Sequence, residues 1–341
     1  MEHRASPEHP PVGKISICVL TLCALLFGHY IPVEAQQPGK PARIAYLNGG
    51  SRSAQSSTNA EALRQGLREL GYVEGQTIFV EDRYAEGNRD RQRAFARDLV
   101  RLKVDVIVAS SGGDTRAAKE ATTTIPIVMA QSDDPVAGGF VSNLARPGGN
   151  ITGLSTLSPE TSGKRLELLK EVVPKLSRVA MFGTSSSPGD SPVLNETKGA
   201  AEALRVSVQY LDVLSRNDFE SAFQAAIKGR TNGGIWLVSG SVSSGHQNKI
   251  AELAAKSRLP TIYYGQNYVT AGGLMSYGVN LADLHRRTAT YVDKILKGAK
   301  PAELPVEQPT KFDMIINLKA AKQIGLTIPP NVLARADRVI R

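Results

Sequence analysis

Asp105-Val106-Ile107-Val108-Ala109-Ser110-Ser111-Gly112-Gly113-Asp114 is the stretch on which the fold turns. A short β-branched run reads as a parallel strand buried on both faces. The Ser/Gly tract behind it opens a helix over Asp114 to Thr122. The same unit recurs on both sides. Upstream, the strand Arg43–Leu47 ends in Asn48-Gly49-Gly50-Ser51 and leads to an amphipathic helix over Thr58–Leu70, closed by Gly71. The strand Thr77–Asp82 and the helix Arg89–Leu102 follow. Downstream, Pro126–Ala130 ends in Gln131-Ser132-Asp133-Asp134. Strand and helix alternating in this way predict a parallel sheet flanked by helices.

Arg146-Pro147-Gly148-Gly149-Asn150 breaks any helix and delivers the chain to Ile151–Ser155, where a second series begins. Its strands are Arg178–Phe182, Val206–Leu211, Gly234–Val238 and Pro260–Tyr264. Its helices are Lys164–Val173, Leu194–Arg205, Asp218–Ile227 and Gly245–Ser257. Thr184 to Ser187 and Ser239-Gly240-Ser241 are the strand-end tracts of this half. Gly272 to Asn280 reads as a return crossing into the long helix Leu281–Leu296. Pro301 to Pro309 reads as a third crossing, followed by the strand Lys311–Asn317, the helix Leu318–Ile324 and a loose tail. The expected organisation is α/β, with one lobe from 42–154 plus 280–305, a second from 155–279 plus 306–341, and three hinge passages between them. A cleft between two such lobes is a common place for a ligand.

Residues 1–35 stand outside this scheme. Arg4 and Lys14 precede the apolar run Ile15–Phe27, and Val33-Glu34-Ala35 offers a cleavage site, so a signal peptide cut after Ala35 is expected. Leu20-Thr21-Leu22-Cys23 has a bulky Leu22 where a lipoprotein site wants a small residue, so lipid anchoring is not expected. Both cysteines, Cys18 and Cys23, lie in this leader, which leaves the mature chain to be stabilised by its core. The net charge of +9 rises to +10 on removal of the leader, which holds two basic and three acidic residues. Lys and Arg are interleaved with acids, as in Arg64 to Glu69, which describes solvated helix faces and not a nucleic-acid surface.

Phosphate, dinucleotide and nucleophile-elbow motifs are absent. His246 and His285, the histidines outside the leader, are far apart and read as packing or surface residues; no metal or other cofactor is expected. Asp133 and Asp134 are adjacent, so their carboxylates diverge and would not share a proton. Asp134 suits the N-cap of a helix begun by Pro135, leaving Ser132 and Asp133 to face the cleft. Asp114 is equally a cap or a ligand acceptor. Among the aromatics, Tyr264 and Tyr277, with Gln266, sit at strand ends and are the candidates for the cleft wall, whereas Trp236 and Tyr263 are at least as well placed in the core. Each Ser/Thr/Gly/Asn tract alone is equally a cap or a turn. Five at strand ends, without a nucleophile and base among them, describe a site that holds a small molecule and does not transform it.

Almost the whole mature chain resembles the ABC-transporter substrate-binding protein family that includes the periplasmic tryptophan and tyrosine receptors. The resemblance rests on Asp134-Pro135-Val136-Ala137-Gly138-Gly139 continuing to Ala145 through Gly153, on Gly71-Tyr72-Val73-Glu74-Gly75, on Gly272 to Asn280, and on Ile324-Gly325-Leu326-Thr327-Ile328-Pro329. It implies the type I periplasmic binding fold: two Rossmann-like lobes with parallel sheets, a three-strand hinge, and closure on a ligand passed to an ABC permease in the inner membrane. The family's ligand positions fall here on Asn48 and Gly49, Ser110, Ser111, Asp114 and Thr115, Ser132 and Asp133, Ser185 and Ser186, Ser239 and Ser241, and Tyr264 and Gln266. Amino-acid binders of the family carry a Thr-Asp-Asn type tract where this chain has Ser239-Gly240-Ser241. Without that acid to hold an ammonium, an aromatic amino acid is not the expected ligand. A periplasmic, monomeric, non-enzymatic receptor for a small polar or carboxylated solute is the resulting expectation. The rivals are an extracytoplasmic sensor input and an exported enzyme using Asp114 or Asp133 as a general base.

Overall fold

The computed structural model describes Met1 and residues 40–341, apart from 53, 157, 186–189, 238–241 and 244. Apart from Met1, the expected signal peptide lies outside the described residues. Pro41–Arg341 forms one unit built around two sheets. Its first half runs β1 Ala42–Asn48, α1 Ala54–Glu69, β2 Ile78–Tyr84, α2 Arg89–Arg101, β3 Val106–Ala109, α3 Gly112–Ala121, β4 Ile127–Met129 and β5 Ile151–Gly153. The second half runs α4 Ser158–Val172, β6 Arg178–Gly183, α5 Asp190–Ala203, β7 Ser207–Asp212, α6 Phe219–Lys228, β8 Gly233–Trp236, α7 Gln247–Lys256, β9 Thr261–Tyr263, α8 Gln266–Thr270 and β10 Met275–Gly278. The chain ends with α9 Leu281–Leu296, β11 Asp313–Asn317, α10 Leu318–Gln323, α11 Pro330–Leu333 and β12 Arg338–Ile340.

The first sheet has the order β2-β1-β3-β4-β5 and is parallel throughout. Strand period two divides its side chains between two cores. Ile44, Tyr46, Val106 and Val108 face Leu63 and Leu67 of α1 and Leu284, Ala289 and Val292 of α9. Ala45, Leu47, Ile107 and Ala109 face Ala96 and Leu99 of α2 and Ala117 and Ala118 of α3. The second sheet, β12-β11-β10-β9-β8-β6-β7, repeats the device. Val179, Ile235 and Ile262 pack against Leu166, Leu169 and Val172 of α4. Ala180, Phe182, Trp236 and Tyr263 pack against Phe219 and Phe223 of α6 and Ile250 and Ala254 of α7.

Three segments pass between the sheets: the chain after β5, the chain between β10 and α9, and the chain from α9 to β11. The first and third run side by side, with Ser155 N donating to Glu307 O and Glu307 N to Gly153 O. Gly153 is required where the first begins. Its φ is +133°, and a Cβ there would stand 2.2 Å from Met129 O.

Two expectations need correction. The tail is not loose: α11 and β12 follow α10, with β12 parallel to β11 and Asp337 Oδ2 accepting from Met314 N. β11 itself runs antiparallel to β10, because it follows the third crossing and not a helix on its own sheet. Pro135 begins no helix. Asp134 Oδ1 accepts from Val136 N and Ala137 N to cap a turn instead, and Gly139 leaves that turn at φ +66°.

Candidate functional site

The C-terminal ends of β1, β3 and β4 bring Asn48, Ser110 and Gln131 together, as expected where parallel strands open into helices. The second sheet contributes Ser243, Gln247, Tyr264 and Asn267, and Leu281 at the start of α9 closes one side. These residues enclose a cavity of about 50 Å³. A second cavity of about 20 Å³ continues it, sharing Ser111, Gln131, Tyr264 and Leu281, and adds Ser132, Asp133, Thr156 and Arg165. A roomier pocket of about 240 Å³ lies between α1 and β2, lined by Leu67, Tyr72 and Val80. Nothing from the second sheet and no strand-end tract reaches it, so the interlobe cavities are the candidate site.

The floor on the first sheet is a connected polar network. Tyr46 OH and Asn48 Nδ2 both donate to Ser110 Oγ, at 3.1 and 3.2 Å, while Asn48 Oδ1 accepts from Gly50 N at 2.8 Å. Ser111 is the N-cap of α3, accepting from Asp114 N, and its Oγ donates to Asp114 Oδ2 at 2.6 Å. Gln92 Nε2 donates to the other carboxylate oxygen at 2.6 Å. Burial pushes the Asp114 carboxyl up to about 7, against the opposing hydrogen bonds from Ser111, Gln92 and Gly49. Asp114, equally a cap or a ligand acceptor by its sequence, holds three elements together. It lines the cavity while its carboxylate joins the β1 turn, α2 and the start of α3.

Thr156 Oγ1 donates to Asp133 Oδ1 at 3.2 Å, tying the first crossing to the β4 loop. Tyr264 OH accepts from Tyr268 OH at 3.5 Å, and burial raises the Tyr264 hydroxyl above the ordinary tyrosine range.

Several sequence candidates stand elsewhere. Thr115 is fully buried and donates to Ser111 O, so it secures the helix start and does not line the cavity. Ser185 is exposed at the end of β6 and binds both oxygens of Asp212. Gln266 opens α8, but its neighbour Asn267 lines the cavity. Tyr277 stacks on Phe312 at 5.8 Å and offers its backbone carbonyl, not its ring. Ser186, Ser239 and Ser241 lie outside the described residues. Trp236 is core, stacked on Phe223 at 5.9 Å.

Arg165 escaped sequence reasoning. It follows Lys164 on an otherwise charged stretch, which reads as a solvated face. Its spacing carried the signal: Arg165, Leu169 and Val172 share one helix face, and the two apolar members mark that face as inward. The side chain is 2% exposed, with Nε donating to Tyr277 O at 2.8 Å. Burial lowers its pKa to about 10, with Asp133 the largest opposing influence. A site expected to rely on hydroxyls and backbone amides thus contains a buried guanidinium. Asn59, Thr156, Gln247 and Leu281 were also missed, since none belongs to a strand-end tract.

The family described as ABC transporter substrate binding protein matches residues 51–340. The chain belongs to that family. A tyrosine-binding protein of Clostridioides difficile (strain R20291) is 23% identical over 262 residues, covering 77% of this chain and 75% of the relative. A conserved domain protein from Vibrio cholerae superposes with a TM-score of 0.83 at 29% identity, covering 88% of this chain and all of that one. An ABC domain from Streptococcus pneumonia, solved in complex with L-Trp, gives a TM-score of 0.82 at 26% identity over the same 88%, again covering all of that chain. The fold of this substrate-binding protein is the type I periplasmic binding fold.

Proposed function

We propose that this substrate-binding protein is the exported receptor of an ABC importer, closing two lobes on a small polar or carboxylated solute and releasing it unchanged. The lobes are 42–154 with 280–305, and 155–279 with 306–341. A leader of residues 1–35, removed after Ala35, would deliver a monomer to the periplasm, where an inner-membrane permease receives the solute. The observation that carries this reading is the cavity pair, whose polar walls come from strand ends of both sheets and from the segments between them. The site's best-buried carboxylate, Asp114, is engaged by Gln92 and Ser111, which suits a structural clamp better than a base awaiting a substrate proton.

A thermal-shift screen of metabolites on the mature protein tests it. A solute that binds only the folded state at a hundred times its Kd adds about 2.7 kcal/mol of stability. The expected outcome is a clear rise in Tm with at least one small solute recovered chemically intact. A changed solute, or no shift with any metabolite, rules the reading out.

A further inference from the structure

We propose that Arg165 is the anion anchor of the cleft, its unpartnered Nη1 taking a carboxylate of the solute, so that the ligand is a small carboxylic acid carrying a hydroxyl or amino donor. This rests on the reading of the cleft as a solute site. Among the described residues, Nη1 of Arg165 is buried with no hydrogen-bond partner, although the same guanidinium spends Nε on Tyr277 O. Arginine presents its donors as a rigid fork matched to carboxylate geometry. A buried charged donor left unpaired is costly, and a fold that keeps one at the wall of a cavity gains when a ligand supplies the missing acceptor. Helix α4 belongs to the second half of the chain and Ser132 to the first, so an acid gripped between them would join the two lobes through itself.

Two further atoms bear on the rest of the ligand. Among the described residues, Gln131 Oε1, on a residue lining both cavities, and Asn267 Oδ1, on one lining the larger, are buried acceptors without a donor. The cleft therefore presents an unused cationic donor in the smaller cavity and unused neutral acceptors on residues that line both cavities or the larger one. A molecule with a carboxylate at one end and an O–H or N–H group at the other satisfies both sets. The two cavities hold on the order of five water-sized groups, which suits an acid of two to four carbons in this arrangement of the lobes.

The test is calorimetric titration and thermal shift of the mature receptor with L-lactate, L-alanine, pyruvate and succinate, each against its primary amide. The expected result is that lactate or alanine binds, pyruvate binds more weakly for want of a donor, and each amide binds on the order of thirty-fold or more below its acid. Arg165→Met should abolish the preference for acid over amide, with Arg165→Lys restoring part of it by charge without the fork. The acid and amide comparison on the unmodified protein decides the matter if Arg165→Met does not fold. A neutral solute from the broad screen that binds while all four acids fail overturns this proposal alone, as does an acid whose affinity survives Arg165→Met. Silence of every solute overturns the receptor reading and this proposal with it.

Discussion

His285 and Asp114 are buried titratable groups within two turns of the cleft, and they act on stability with opposite signs. The His285 ring is fully buried against Tyr46, with Nδ1 bonded to Leu281 O at 2.8 Å and Nε2 without a partner among the described residues. Burial lowers its pKa from 6.5 to about 4. The unfolded chain takes up a proton below pH 6.5 that the folded ring refuses, so stability present above pH 6.5 is lost as pH falls toward 4, by about 3 kcal/mol. Asp114 is raised from 3.8 to about 7. The folded carboxyl keeps its proton where the unfolded one sheds it, so this contribution is present at low pH and is lost as pH rises through 7. Melting curves from pH 8 to 4 should separate the two opposed contributions: Asp114→Asn leaves a Tm that falls on acidification, and His285→Leu leaves one that rises. The sequence named both residues. What it could not reveal is that His285 sits at the inner face of α9 with one nitrogen unmet, since burial of a lone histidine depends on what packs across from it.

At the scale of elements, the strands and helices were legible because each buried strand combines β-branched residues with a tract that ends it. Helix α9 was read to the residue, because Asn280 accepts from Asp283 N as a cap and the apolar spacing runs unbroken to Leu296. The helix expected at Pro135 failed for a local reason. Asp134 supplies a good cap, but the glycines at 138 and 139 follow within one turn, so the capped turn has nothing to propagate into. Gly153 carries the hinge prediction. Gly153→Ala forces a Cβ onto the Met129 backbone at a φ that L-residues avoid, and should cost about 2 to 5 kcal/mol. Urea unfolding followed by the emission of Trp236, buried in the second-sheet core, measures it. An unchanged midpoint would mean that the first crossing relaxes freely and does not define the lobe geometry.

For the whole molecule, three crossings suit closure of the proposed lobes by rigid-body motion. The first and third are hydrogen-bonded to one another through Gly153, Ser155 and Glu307, so closure would bend them as a pair. Solution scattering should give a smaller radius of gyration with saturating solute than without it, at unchanged helix content by circular dichroism; equal radii would count against closure. The chain by itself determined the alternation of strand and helix, the switch from first to second series near Asn150 and the polar character of the strand ends, because period and turn chemistry are local properties. Only the tertiary structure decided which strand ends converge: it brought Ser110 and Ser132 to the cavity walls and left Ser185 on Asp212 at the surface. It also turned Arg165 inward from α4 toward Tyr277. The reason is that a side chain's surroundings come from sheet order and from helices distant in sequence, and no spacing along one segment encodes what the opposite lobe will bring to meet it.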